Sequence, residues 1–77
     1  MADELFKKLG FKRIETRDII EYYGGDEYFV VRFWRDKKQV ELFGGEYVNG
    51  NLENNLYFVY GFELFKAINK QIEELEN

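Results

Sequence analysis

Tyr28, Arg32 and Trp34 lie four and two residues apart along one segment, the same parity in a strand, and Arg35, Lys37 and Lys38 follow directly after it. Aromatic rings stack on flat partners, while guanidinium and ammonium groups hold anions, so the chemistry on offer is recognition. Single-stranded nucleic acid is bound in this way, with bases on rings and phosphates on cations. A protein interface uses the same residue types, because Trp, Tyr and Arg are enriched among binding hot spots. The blander use is internal: Trp34 packs against cross-strand neighbours such as Tyr22 or Phe43, with arginines lying over the rings. Internal packing is the most frequent of the three, a protein interface the next.

Bond-making chemistry has little to work with. The 77-residue chain has no His, Cys, Ser or Pro, and Thr16 carries its one aliphatic hydroxyl. The usual nucleophiles and the proton carrier closest to neutral pH are therefore missing, and the expectation is a non-enzyme. Paired carboxylates alone can run glycoside chemistry, but Asp26 and Glu27 adjoin a Gly-rich turn and Glu73 and Glu74 fall on the polar side of a helical pattern. Gly24-Gly25 and Gly44-Gly45 lack the following helix and Lys of a phosphate loop and read as turns. Asn49, Asn51, Glu53, Asn54 and Asn55 lack the ligand spacing of a calcium loop, and zinc has no nitrogen or sulfur ligands to use. No cofactor and no metal are expected.

Charge is uneven. The chain carries a net −4, with +1 on residues 1–38 and −5 on residues 39–77. An acidic whole argues against sequence-independent binding to phosphate backbones, which relies on Lys and Arg releasing counterions. Lys7, Lys8, Lys12, Arg13 and Arg17 form a basic run interrupted by Glu15 and Asp18, as on a solvated face. In the second half Glu41, Glu46 and Glu53 belong to an acidic surface of a kind that usually serves solubility. Such a surface also complements the positive groove of a nucleic-acid enzyme, so an acidic inhibitor of a host enzyme is an alternative reading.

The elements that must position these groups read as one α+β domain over residues 1–77: a short N-terminal helix, an antiparallel sheet of three to five strands and a C-terminal helix, with both helices on one sheet face. Residues 2–10 have acids in the first turn, lysines in the last and Gly10 where a left-handed cap belongs. Phe11 to Thr16 and Ile19 to Tyr23 read as a hairpin across Arg17-Asp18. Glu27 to Arg35 is the clearest strand, with Phe29, Val31 and Phe33 facing a core and Tyr28, Val30, Arg32 and Trp34 facing away. Asp36-Lys37-Lys38 turns the chain into Gln39 to Phe43, which Gly44-Gly45 ends or bulges. Residues 46–55 form a polar loop or an Asn-Gly hairpin, and Tyr57 to Tyr60 a last short strand. From Phe62 the period becomes helical, with Phe65, Ile68, Ile72 and Leu75 as its apolar stripe.

A core below about 80 residues supplies roughly 3–5 kcal/mol at most. Here fifteen aromatic residues must fill it, and homodimerisation is a second route to stability. No signal peptide or membrane span is expected, and the lack of cysteine fits a cytoplasmic location.

Two resemblances accompany this reading. The helix, strands, helix order resembles the double-stranded-RNA-binding domain in layout, although Phe62-Glu63-Leu64-Phe65-Lys66 lacks the basic cluster that this family presents to phosphates. Glu4-Leu5-Phe6-Lys7-Lys8-Leu9-Gly10-Phe11 and Lys66-Ala67-Ile68-Asn69-Lys70-Gln71-Ile72-Glu73-Glu74-Leu75 look like small uncharacterised proteins of phages and prophages of Gram-positive bacteria. That resemblance implies a phage-type accessory protein and offers no established catalytic residues to carry over. The sequence expectation is thus a non-catalytic module that binds a protein partner through its open sheet face.

Overall fold

The computed structural model describes residues 1–24, 28–54 and 60–77, with the backbone alone at 28, 45–48 and 52–54. Its elements are α1 (Ala2–Lys8), β1 (Phe11–Glu15), β2 (Ile19–Gly24), β3 (Tyr28–Trp34), β4 (Gln39–Val48), β5 (Asn51–Asn54) and α2 (Phe62–Glu76). The five strands form one antiparallel sheet in sequence order. The fold is the expected α+β arrangement.

Local chemistry sets the boundaries. Asp3 and Glu4 sit at the positive end of α1 and Lys7 and Lys8 at its negative end. Gly10 then takes φ +88°, which a side chain would resist, and its N–H closes onto the Lys7 carbonyl at 3.0 Å. In the β1–β2 turn the Ile19 N–H donates to Thr16 Oγ1 at 3.2 Å, while the Thr16 N–H donates to the Ile19 carbonyl at 2.9 Å. The one aliphatic hydroxyl therefore ties a turn. The β4–β5 connection is the Asn-Gly hairpin, with Asn49 at φ +52° and Gly50 at φ +80°, as a right-twisted two-residue turn requires.

The core lies between one sheet face and the two helices. Phe11, Ile20, Tyr22, Phe29, Val31 and Phe33 meet Phe6 of α1 and Leu64, Ala67 and Ile68 of α2. Phe6 and Tyr22 stack with ring centroids 3.7 Å apart, and Phe33 meets both edge-on. Ala2 and Ala67 are completely buried, one on each helix, and α1 and α2 pack against each other. The Ala2 N–H donates to Glu74 Oε1 at 2.7 Å, which fastens the start of α1 to the last turns of α2.

Four expectations are corrected. Tyr22 is not a neighbour of Trp34 on the open face: it pairs with Val31 and is buried in the core on the opposite face. Gly44-Gly45 does not end β4, which runs on to Val48; Gly44 is buried and pairs with Phe29 within the continuous strand. The stripe on α2 holds at Ile68, which is buried, and at Ile72, which packs against the core, but it is rotated toward Leu64, Ala67 and Gln71, which are buried, while Phe65 is 53% and Leu75 37% exposed. Glu74 is not on the solvated side but reaches α1. The expected last strand lies at 57–59 outside the described residues, as do Asp26 and Glu27, and Tyr60 itself is in no strand.

Candidate functional site

Antiparallel register places paired residues on the same face, and on the face away from the helices it builds three rows. Ile14, Glu21, Arg32 and Glu41 make the middle row. On one side run Ile19, Trp34 and Gln39, on the other Lys12, Tyr23, Val30 and Phe43. Ile14 is 43% exposed and Tyr23 36%, while Ile19, Val30, Trp34 and Phe43 are half-buried. Among the described residues neither helix contributes to the cover of this face.

Arg32 organises the middle row. Its Nε donates to Glu21 Oε1 at 2.8 Å and its Nη1 lies 3.7 Å from Glu41 Oε1. The guanidinium carbon also lies 4.9 Å from the centre of the Phe43 ring and 5.8 Å from that of Trp34. Trp34 Nε1 donates to the same Glu41 oxygen, and Lys37 Nζ sits 4.6 Å from the centre of the Trp34 ring. The ion pairs and cation–π contacts hold Trp34 and Phe43 on either side of one cation. Such a surface presents fixed apolar area around a central row whose charges are paired with one another.

The six residues singled out in the sequence are not all brought together. Arg32, Trp34 and Lys37 share the open face. Tyr28 has its backbone in β3, and its side chain lies outside the described residues. Arg35 bonds to Glu15, which Arg13 Nη2 also holds at 2.7 Å; the hydrogen bonds from Arg35 and then Arg13 keep the Glu15 carboxyl below the usual carboxylate range. Lys38 takes φ +53° in the β3–β4 turn and lines a groove beside the end of α2. The strand alternation that groups Arg32 with Trp34 stops at Trp34, so the turn sends Arg35 and Lys38 elsewhere.

The acidic set is likewise divided. Glu41 is occupied by Arg32 and Trp34, and Glu46 and Glu53 are register partners on the β4–β5 hairpin. Among the described residues no group of three acidic, His or Cys side chains is arranged to hold a metal, and no helix is long and apolar enough to cross a membrane. Sequence reasoning missed the groove, because its walls come from β3, β4 and α2 and no local motif joins them.

No family model, curated protein or solved structure matches the chain.

Proposed function

We propose that this chain is a non-catalytic interaction module that binds a protein partner through the open sheet face, as a phage-type accessory protein. The observation that carries the reading is the Glu21, Arg32, Glu41 row lying between two mainly apolar rows, Ile19 and Trp34 with Gln39 on one side and Tyr23, Val30 and Phe43 with Lys12 on the other. An interface core favours aromatic residues with few free charges, because each unpaired charge must be desolvated. Here the central charges are paired before any partner arrives.

The same pairing speaks against nucleic acid as the ligand. Arg32 is committed to two carboxylates, which leaves Lys12 and Lys37 as the other cations of the face. A phosphate would have to draw Arg32 away from Glu21 and Glu41.

The experiment is capture from host lysate with the intact protein, with and without nuclease, at low and high salt. The reading expects a specific protein retained after nuclease and only weakly sensitive to salt. Capture that disappears with nuclease, or that falls steeply with salt, would replace it by nucleic-acid association.

A further inference from the structure

A groove of about 310 Å³ runs between the last turns of α2 and the β3–β4 turn. Its floor is Phe33, Val40, Ile72 and Leu75, and its rims carry Lys38 at the turn and Glu76 on the helix. The floor residues belong to the helix-covered side of the sheet, whereas Trp34 and Gln39, which also line the groove, come from the edge row of the open face. Its size falls in the range of small-ligand clefts, roughly 300–1,000 Å³, and an apolar floor with a few polar rim groups is their usual composition.

Charge selects among occupants. Lys38 and Glu76 have no ion-pair partner among the described residues, whereas Arg35, the other cation of the groove, is bound to Glu15. The C-terminal end of α2 adds the negative end of the helix dipole to the Glu76 side. One rim therefore favours an anion and the other a cation or hydrogen-bond donor, with apolar surface between them. A simple fatty anion satisfies one rim alone. A peptide with a large aliphatic side chain between an acidic and a basic residue satisfies both rims and the floor.

We propose that this groove binds a short peptide segment of that chemistry: an aliphatic side chain on Val40, Ile72 and Leu75, an acid toward Lys38 and a base toward Glu76. The inference rests on Lys38, Val40, Ile72, Leu75 and Glu76, none of which the open-face reading uses, so its failure is distinguishable from the failure of that reading although Trp34 borders both surfaces.

The test is a methyl and amide NMR titration of the intact protein with N-acetyl-Glu-Leu-Lys-amide. Controls are the neutral Gln-Leu-Gln and the small Glu-Ala-Lys analogues and the Lys38→Asn variant, Asn being a residue that tolerates the positive φ. Saturable shifts are expected at Val40, Ile72 and Leu75. Binding should weaken about tenfold for the Ala peptide, which loses the floor contact. It should weaken up to about fivefold for the neutral peptide and for Lys38→Asn, as an exposed ion pair allows. Absence of saturable shifts at these residues, or equal binding of all three peptides, would overturn the proposal.

Discussion

The Tyr22 hydroxyl donates to Gln71 Oε1 at 2.8 Å, joining the second strand of the sheet to α2 inside an otherwise apolar core. Tyr22 is completely buried and Gln71 is 3% exposed. Each makes the other affordable there, since a buried polar atom without a partner carries its full desolvation cost. Arg13 Nη1 adds a donor to the hydroxyl at 3.3 Å.

A double-mutant cycle should read this link. Tyr22→Phe leaves the Gln71 oxygen without its donor and should cost about 1–3 kcal/mol. Tyr22→Phe with Gln71→Met removes both polar groups and should cost clearly less than the single changes added together. Denaturant unfolding of the four proteins checks it; additive costs would show that the bond contributes little.

Alkaline pH should act through the same ring. Burial, opposed by Arg13, pushes the Tyr22 phenol up to about 12, against the usual value near 10. The folded state then holds the proton more tightly than the unfolded chain. The associated stability is complete below pH 10 and is lost as the pH rises from 10 through 12. Phenolate absorbance should show one tyrosine titrating late, and the urea midpoint should fall between pH 9 and 11 by less in Tyr22→Phe. Equal falls in both proteins would contradict this.

These two residues also show how far the sequence could be read. The strand alternation through Phe29, Val31 and Phe33 and the cap at Gly10 are legible, because each rests on local backbone sterics, while the Asn49-Gly50 turn is one of two readings that the sequence leaves open for residues 46–55. On α2 the period correctly marks Ile68 and Ile72, but hydropathy counts Phe65 as core and Gln71 as surface. Packing reverses this: Ala67 permits close approach to α1, and Tyr22 supplies the partner that lets Gln71 be buried. The grouping of Arg32 with Trp34 was visible in their even spacing. Their sharing of Glu41 and the separation of Arg35 and Lys38 depend on β4 and the turn, which spacing within β3 does not encode.

Gly24→Ala should be severely destabilising. Gly24 sits at φ +144°, and an added Cβ would lie 2.7 Å from the Gly10 carbonyl oxygen and 3.3 Å from Phe11 Cα. Both neighbours are backbone, so the start of β1 must shift. Backbone strain of this kind costs about 1–3 kcal/mol before the clash is counted, a large share of the roughly 3–5 kcal/mol available to so small a core. Circular dichroism of a folded protein with unchanged thermal midpoint would refute it.

Lys38→Gly should move in the opposite direction. Lys38 pays a steric cost at φ +53° that glycine does not, and relief of about 1 kcal/mol, less the added unfolded-state entropy, leaves a net gain of a few tenths. The thermal midpoint should rise slightly; a fall would show that the Lys38 side chain contributes to the turn.

The open-face claim is tested most directly by comparing capture of the partner by the native chain, by Trp34→Ala with Arg32→Ala, and by Tyr23→Lys, which leaves the Arg32 ion pairs in place. Each variant is first checked for folding by circular dichroism. The account predicts loss of the captured protein with both variants while the fold persists. Undiminished capture by folded Trp34→Ala with Arg32→Ala and by folded Tyr23→Lys would contradict it.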